Sequence, residues 1–369
     1  MATLKYRERL GGSKRLTEIV FAGSHDASIT SGSSYAQTQD LDIKGQAKAG
    51  VRLFDLRILA RKFSGGGASL VGYHGSAKGK GTGQYQSQVS GKSHDIKTNK
   101  SISGEFGLKL SDMLRQAREF VTKHDEFLIF KFDKCTNYQL IAEYCVNILG
   151  DDIFKPIGIE FGKLTLDDLK GKVVCVFNES ALPEMRPLAS ADGILAFRSL
   201  RGEKGSAKAY DAAFEGLQYY GKGGTSPFKF YQTNNMKMKD NESKQKKMLL
   251  AMARQEDHWA ADVLGMMYWT STGSVSSIRE RNEGTMWSKT GVHRMGELWR
   301  QGLEASIETQ LKRDQIKILE YGGVMRMKAY FPNIIMIDFA DPDKCRSIFD
   351  LNTAVDQRLA EAYNKYVGA

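Results

Sequence analysis

Residues 51–57 read Val-Arg-Leu-Phe-Asp-Leu-Arg, a short run that is mainly apolar and ends in charged side chains. Strands buried on both faces of a parallel sheet have such nearly continuous apolar runs, whereas half-exposed strands alternate between apolar and polar residues. The run therefore predicts a strand, Val51–Arg57, inside a parallel sheet.

Similar runs recur along the chain, and helical patterns separate them. The further predicted strands are Glu18–Ala22, Phe127–Phe132, Val173–Phe177, Ile194–Arg198, Phe228–Gln232, Gly265–Thr270 and Ile334–Phe339, with Leu70–Tyr73 as a short extra candidate. Strands that alternate with helices indicate βαβ units, and about eight of them predict an α/β fold with one distorted (β/α)8 barrel of the TIM type. We expect residues 1–369 to form this single domain.

Amphipathic stretches predict the helices between these strands. Ser111 is expected to cap a helix whose apolar positions have three- and four-residue spacing; these are Met113, Leu114, Ala117, Phe120 and Val121. Longer helical patterns cover Lys244–Val263 and His293–Glu320, and Asn352–Tyr366 predicts a closing helix within residues 350–369.

The composition is that of a globular protein, with 369 residues and 41% hydrophobic side chains. No apolar run reaches the ~18 residues of a membrane-spanning helix. The first ten residues lack the apolar stretch of a secretory signal. The cysteines have no metal-binding spacing, so we expect buried thiols; they are Cys135, Cys145, Cys175 and Cys345.

Positive charge is in excess, with 53 lysines and arginines against 43 aspartates and glutamates, a formal net charge of +10. Part of it lies in a Gly/Lys-rich segment, residues 75–105, which we expect to be an exposed, mobile loop over the mouth of the site. Its lysines are Lys78, Lys80, Lys92, Lys97 and Lys100. This charge favours an anionic partner such as a phospholipid surface. Aromatic residues do not interleave with the lysines, so we expect no nucleic-acid partner.

Two histidines stand where a barrel enzyme places its catalytic groups. His25 follows the strand Glu18–Ala22, and His74 directly follows Leu70–Tyr73. Barrel active sites lie at the C-terminal ends of the strands, so both imidazoles are candidates. The remaining histidines are expected to be structural; they are His94, His124, His258 and His293.

Arg57 and Asp55 close the strand Val51–Arg57 and point to the same side by alternation. A buried arginine is costly unless it meets an anion. Together with Asp26 and Asp338, the two histidines and Arg57 suit the cleavage of a phosphodiester. One histidine takes a proton, the other gives one, and the guanidinium neutralises the phosphoryl oxygens.

These motifs resemble the signature of phosphatidylinositol-specific phospholipase C, the X domain, of the bacterial metal-independent type. The resemblance lies in the turn with His25-Asp26, in the strand Gly50–Arg57 and in His74-Gly75. Asp125–Phe130, Trp269-Thr270-Ser271 and Pro332–Phe339 are similar to later strands of that family, so that roughly residues 15–340 are covered.

The resemblance implies a distorted (β/α)8 barrel that cleaves phosphatidylinositol to diacylglycerol and a cyclic inositol phosphate. His25 would be the general base toward the inositol 2-hydroxyl, oriented by Asp338. His74 would be the general acid, supported by Asp26. Arg57 would hold the phosphate.

The resemblance also bears on metal use. Calcium-dependent relatives carry His-Asn in the first motif and an acidic residue where this chain has Arg57. We therefore expect no metal and no cofactor, with Ca²⁺ as the runner-up because Asp133 falls where those relatives place a ligand. Asp55, Asp133, Asn178 and Thr233 are expected to contact the substrate headgroup, although Asn178 and Thr233 depart from the arginine and aspartate of bacterial relatives.

Three alternatives stay open at this point. The chain could be a catalytically silent module that binds anionic lipid, a nucleic-acid-binding protein, or a phosphodiesterase of the same fold for another headgroup. We favour a monomer that makes peripheral contact with a membrane surface and binds a phosphoinositide or another anionic phospholipid. A secreted or exported bacterial protein is favoured, although no signal peptide is visible.

Overall fold

The fold is given by a computed structural model. It describes residues 2–62, 68–78, 81–86, 91, 93–98, 101–200, 208–221, 233–255, 262–271, 277–321 and 323–368.

Eight parallel strands close into a barrel, and their order around the barrel follows their order along the chain. The barrel strands are β1 (Phe21–Ser24), β2 (Val51–Leu56), β3 (Leu128–Phe132), β4 (Val173–Asn178), β5 (Ile194–Ser199), β6 (Gly216–Gly221), β7 (Leu264–Tyr268) and β8 (Pro332–Ile337). β8 returns to β1 with Phe21 opposite Ile334, which completes the ring. The predicted (β/α)8 barrel is confirmed.

The barrel strands are buried because helices cover their outer faces. Every residue of β1, β2, β3, β7 and β8 is buried. This two-sided burial explains why their sequences are continuous apolar runs rather than alternating ones.

Seven of the eight predicted strands overlap barrel strands, but the sixth prediction is wrong. The sixth strand is Gly216–Gly221, which pairs with β5 and β7 and so closes the barrel without Phe228–Gln232. Residues 228–232 lie outside the described residues. The true strand escaped the apolar pattern because it begins and ends with glycine and contains Gln218, whose amide is buried and bonds to the backbone of Asp211.

The α-helices of the described residues lie mainly around the barrel. They are Tyr6–Leu10, Ile43–Ala49, Leu110–His124, Tyr138–Leu149, Asn234–Ala253, Ile278–Arg281, Lys289–Arg313, Pro342–Phe349 and Leu351–Tyr366. Short 3-10 helices occupy Leu16–Glu18, Gly150–Asp152, Phe161–Lys163, Glu179–Met185 and Ser190–Asp192, and Asn282–Met286 is a π-helical turn.

Helix bounds differ from the predicted ones in three places. Leu110–His124 buries all five predicted apolar positions, but its N-cap is Lys109, so Ser111 is not the cap. Asn234–Ala253 replaces the predicted Lys244–Val263, because the chain must leave the helix before β7 begins. Lys289–Arg313 ends at Asp314, whose φ of 52° breaks the helix before the predicted end at Glu320.

The segment predicted as a Gly/Lys-rich loop contains strands, which corrects that prediction. A five-stranded sheet is formed by Ile58–Lys62, Ala68–Lys78, Gly81–Gln86, Ser93–Thr98 and Ser101–Lys109. Leu108 donates to the carbonyl of Ser28 at 2.9 Å, and a Cβ on Gly107 would lie 2.0 Å from that oxygen. Glycine is required there because the sheet docks so closely on the turn after β1. The side chains of the five lysines lie outside the described part.

A separate antiparallel hairpin joins Ile318–Tyr321 to Val324–Met327. The four cysteines are buried free thiols, as predicted. Among the described residues, no helix is long and apolar enough to cross a bilayer.

Candidate active site

His25 and Asp26 directly follow β1 and lie at the C-terminal mouth of the barrel. The His25 amide extends the strand pairing by donating to the carbonyl of Ile337 at 3.0 Å. Asp26 then turns the chain with a φ of 42°, a left-handed conformation that aspartate tolerates better than most residues. The hydroxyl of Thr38 donates to the Asp26 carbonyl at 2.8 Å, and the amide of Gln39 donates to the His25 carbonyl at 2.9 Å.

His25 is held by Asp338, which directly follows β8. The Nδ1 atom of His25 lies 2.9 Å from Oδ1 of Asp338, and both side chains are buried. Because a carboxylate only accepts hydrogen bonds, Nδ1 of His25 carries a proton and donates to Asp338, and Nε2 faces the other catalytic candidates. The His25 ring also packs edge-on against Tyr268, with centroids 6.0 Å apart. The structure thus brings together the pair that the sequence analysis predicted.

The Asp26 carboxylate is the centre of the site. Its Oδ1 lies 2.9 Å from Nε of Arg57, and its Oδ2 lies 3.4 Å from Nε2 of His74 and 3.5 Å from Nε2 of His25. The carboxylate is 1% exposed. Both imidazoles and the guanidinium therefore share one buried anion.

His74 reaches this centre from outside the barrel. It lies within the strand Ala68–Lys78 of the five-stranded sheet, rather than after a strand Leu70–Tyr73 as predicted. The neighbouring residue Tyr73 donates its backbone N–H to the carbonyl of Arg57 at 2.9 Å, which ties the sheet to the end of β2. The His74 side chain stays 21% exposed, so one face of the mouth is open to solvent.

Burial and charge set the protonation of the two histidines in opposite directions. Burial disfavours the charged His25, but the carboxylates of Asp26 and Asp338 outweigh it and raise the pKa of His25 to about 9. Burial lowers the pKa of His74, and the positive charges of His25 and Arg57 oppose the influence of Asp26. Burial raises the pKa of Asp26, yet His25, Arg57 and His74 together hold it below its usual value. At neutral pH the free site therefore has a protonated, cationic His25 and a neutral His74.

A second polar cluster lies across the mouth on β2, β3 and β4. The Nζ atom of Lys131 is 2.8 Å from Oδ1 of Asp55 and 3.7 Å from Oδ2 of Asp133. The amide of Asn178 donates to Oδ1 of Asp133 at 3.2 Å. Lys131 thus joins two of the predicted headgroup residues, Asp55 and Asp133, and the third, Asn178, is attached through Asp133.

Lys131 is a site residue that the sequence analysis missed. Its side chain is buried, and its Nζ lies 4.4 Å from the centre of the Phe197 ring. Burial disfavours the ammonium, but Asp55 and the other anionic groups around it raise the pKa of Lys131 well above its usual value. A signal was present, because Lys131 interrupts the apolar strand Leu128–Phe132 and pairs in register with Asp55.

Calcium does not fit the carboxylates of this site. His25, Asp26 and Asp55 present donor atoms within 4.8 Å of one another, which is a spacing that a metal ion could use. However, Asp26 is already paired with Arg57 and Asp55 with Lys131, so a dication would have to displace or approach two cations. Calcium prefers six to eight oxygen ligands, and ammonium and guanidinium groups stand in this cluster instead.

Within the described part of the chain, Thr233 is the predicted site residue for which no contact with the other site residues is found. Its hydroxyl accepts from the N–H of Met236 at 3.3 Å and caps the helix Asn234–Ala253. Of the other histidines, His124 packs against Phe120 and His293 lies 3.2 Å from Glu297, whereas the side chains of His94 and His258 lie outside the described part.

Comparison with solved structures finds the same architecture. A Staphylococcus aureus phosphatidylinositol-specific phospholipase C, solved in work on modulation of its membrane binding, is 16% identical over 94% of this chain and 96% of its own, with a TM-score of 0.52. A second structure of that enzyme is 18% identical over 94% and 96% of the two chains, with a TM-score of 0.50. At this identity the likeness shows the fold: the chain has the barrel of the bacterial phosphatidylinositol-specific phospholipases C. No protein-family model matches the sequence, and no curated protein matches it by sequence.

Proposed function

We propose that this protein is a phosphodiesterase of the phospholipase C type that cleaves the glycerol–phosphate bond of phosphatidylinositol. The observation that carries the proposal is the convergence of His25, His74 and Arg57 on the Asp26 carboxylate at the mouth of the barrel. Two imidazoles can serve as general base and general acid, and a guanidinium can stabilise the charge on the phosphoryl oxygens, so these groups suffice for cleavage of a phosphodiester without a metal.

In the proposed reaction, the inositol 2-hydroxyl attacks phosphorus while its proton passes to Nε2 of His25. The bond between phosphorus and the glycerol oxygen breaks, and His74 gives its proton to that oxygen. The products are diacylglycerol and inositol 1,2-cyclic phosphate. Asp338 stabilises the imidazolium that forms on His25, as the 2.9 Å contact supports.

The active protonation state differs from the resting one. Catalysis needs a neutral His25 and a protonated His74, whereas the free site holds its proton on His25. Moving one proton between the rings leaves the total charge of the site unchanged. A phosphodiester anion bound against His74 favours the move, because it places a negative charge next to the ring that must become cationic.

Arg57 is proposed to hold the phosphate. Burial disfavours its charge, but Asp26, Asp55 and Asp133 raise the pKa of Arg57, so it stays cationic at every working pH. Its side chain is 23% exposed and pairs with Asp26 through Nε. A planar guanidinium has further N–H donors with which it can contact phosphoryl oxygens.

The headgroup is proposed to lie against Asp55, Lys131, Asp133 and Asn178. This cluster alternates hydrogen-bond acceptors and donors, which suits a ring of hydroxyl groups. The two carboxylates oppose additional phosphate groups, so unphosphorylated phosphatidylinositol is the expected substrate. No metal takes part, because Arg57 and Lys131 supply positive charge where a cation would act.

Peripheral contact with an anionic membrane completes the proposal. The S. aureus enzyme was solved in work on its membrane binding, and this chain carries a net charge of +10. Lysines near an anionic surface contribute about 1 kcal/mol each at low ionic strength.

This contact is tested by measuring vesicle binding of a variant in which the five lysines of residues 75–105 are replaced by Gln. We expect weaker binding at low ionic strength. Undiminished binding would show that those lysines do not meet the membrane.

A headgroup panel tests the activity itself. Purified protein is incubated with phosphatidylinositol, its phosphorylated forms, phosphatidylcholine and phosphatidylglycerol, and the products are identified by phosphorus NMR. We expect a cyclic phosphate from phosphatidylinositol and little turnover of the others. Cleavage of another headgroup alone would keep the chemistry and replace the substrate, whereas binding without cleavage would identify a silent lipid-binding module.

A further inference from the structure

Asn282 lies next to the catalytic centre on an unusual backbone element. It follows the helix Ile278–Arg281 directly and starts the π-helical turn Asn282–Met286. Turns of this kind are rare and occur frequently at functional sites. The Asn282 side chain is fully buried and contacts Asp338, the carboxylate that holds His25.

Four contacts determine how the Asn282 amide is oriented. Its Oδ1 accepts from the N–H of Ser271 at 3.2 Å, so Nδ2 must be the atom on the other side. That Nδ2 donates to Oδ2 of Asp338 at 3.1 Å and to the carbonyl of Ile278 at 2.9 Å, and lies 3.3 Å from the carbonyl of Ser271. The amide therefore presents a donor, rather than an acceptor, to Asp338.

The element that carries Asn282 is anchored to the barrel. The indole N–H of Trp269 donates to the carbonyl of Met286 at 2.7 Å, and the backbone N–H of Trp269 donates to Met336 in β8 at 2.8 Å. The N–H of Trp287 donates back to the Asn282 carbonyl at 2.8 Å. The π-helical turn is thus tied to the ends of β7 and β8, which places the donor of Asn282 at a fixed point.

We propose that Asn282 is a positioning residue that holds the Asp338 carboxylate so that Oδ1 faces Nδ1 of His25. The Asp338 carboxylate is held from both sides: Oδ2 accepts from Nδ2 of Asn282, and Oδ1 contacts Nδ1 of His25. Without the Nδ2 donor, Oδ2 of Asp338 is left buried without this partner, and the carboxylate is free to turn away from the imidazole. The catalytic meaning of this role rests on the proposed function, whereas the geometric role does not.

The first test compares Asn282 with Asn333, because both side chains are buried and form hydrogen bonds with backbone groups. Asn333 is also buried, donates to the carbonyls of Leu16 and Ile19, and accepts from the N–H of Gly265, but it lies at the N-terminal ends of β7 and β8. We expect Asn282→Ser to lower kcat roughly tenfold or more, the size of effect seen when hydrogen-bond partners of metal ligands are removed. KM should be nearly unchanged, because Asn282 acts through Asp338 and His25. Asn333→Ser should lower the melting temperature about as much as Asn282→Ser does, but its kcat should stay near that of the wild type. Equal kcat values in the two variants would overturn the proposal.

The second test needs no substrate. In protein with nitrogen-15-labelled histidine, the Nδ1–H proton of His25 is followed by NMR. We expect Asn282→Ser to shift this resonance toward that of a weaker hydrogen bond and Asn333→Ser to leave it in place. An unaltered resonance in Asn282→Ser overturns the proposal, even where kcat has fallen. Because the free protein is measured, this result stands whether or not the protein cleaves phosphatidylinositol.

A shape-matched variant covers the case in which Asn282→Ser does not fold. Asn282→Leu keeps about the size of the side chain and places no donor, acceptor or ionisable group beside Asp338. We expect the same loss in kcat and the same shift of the His25 resonance. A folded Asn282→Leu protein with wild-type values for both would show that the donor does not position Asp338.

Discussion

The Nε2 atom of His74 lies 3.4 Å from Oδ2 of Asp26, although His74 belongs to the five-stranded sheet and Asp26 to the turn after barrel strand β1. His25 approaches the same oxygen from the barrel at 3.5 Å. A single buried carboxylate therefore couples the proposed base and the proposed acid. Any change in the protonation of one ring alters the field at the other, so the two histidines titrate as a pair.

The dependence of kcat/KM on pH is expected to be bell-shaped. Below the lowered pKa of His74 both imidazoles are protonated and no base remains, and above a pH of about 9 both are neutral and no acid remains. The acid limb should lie below 6.5 and the alkaline limb near 9. Asp338→Asn removes a charge that raises the pKa of His25, so its alkaline limb should move to lower pH. An alkaline limb that stays in place would remove Asp338 from the control of His25.

His25 and His74 are expected to be separately essential. Replacing either by Ala should lower turnover of phosphatidylinositol by roughly 10²-fold or more, the usual contribution of a positioned acid or base. A soluble inositol phosphodiester with a weakly basic leaving group separates their roles, since its departure needs no acid. That substrate should restore most of the rate to His74→Ala and little to His25→Ala. The reverse pattern would exchange the two roles.

Arg57→Lys is expected to lower turnover strongly while the protein stays folded. Lysine keeps the charge but presents a point-like ammonium, so it cannot make the planar, two-pronged contact with phosphoryl oxygens. Stopped assays at saturating substrate measure kcat, and a thermal melt serves as the control for folding. Turnover equal to that of the wild type would limit Arg57 to neutralising Asp26.

Activity is expected to survive chelation. Arg57 and Lys131 already pair with Asp26 and Asp55, so EDTA or EGTA should leave the rate nearly unchanged and added Ca²⁺ should not raise it. The assay uses a soluble substrate, because calcium also changes the charge of anionic vesicles. Activity that is lost on chelation and recovered with calcium would promote His25, Asp26 and Asp55 to metal ligands.

Arg52 is expected to serve stability rather than chemistry, although it lies in the same strand as Asp55. Its Nε is 3.1 Å from Glu126, both side chains are buried, and its guanidinium lies 4.8 Å from the centre of the Tyr6 ring. Arg52→Met leaves Glu126 buried without this partner, which should cost roughly 3–5 kcal/mol of unfolding free energy in urea. Arg52→Met combined with Glu126→Leu should recover part of the loss. The folded single variant should keep near-normal kcat, and a collapse of kcat would contradict the structural role.

Local patterns were sufficient for the barrel strands and for part of the site. The buried runs around Val51 and Ile334 predict parallel strands because burial on two faces leaves its mark within a few residues. His25 was likewise predicted from its place after such a run and Arg57 from its place at the end of one, whereas the roles of Asp26 and Asp338 were implied by the resemblance. The sixth strand was missed because Gly216–Gly221 depends on its neighbours for burial rather than on its own apolar content.

The sequence by itself determined the class of the fold and the chemical groups available to the site. The fold class follows from apolar runs that recur along the chain, and the chemical groups follow from the residue types at the ends of those runs. Only the tertiary structure decided that Asp26 is shared by His25, His74 and Arg57, that Lys131 links Asp55 to Asp133, and that Asn282 holds Asp338. These contacts join residues that are distant in the chain. They arise when barrel closure and the docking of the second sheet bring the strand ends together, and no local pattern records which side chains then meet.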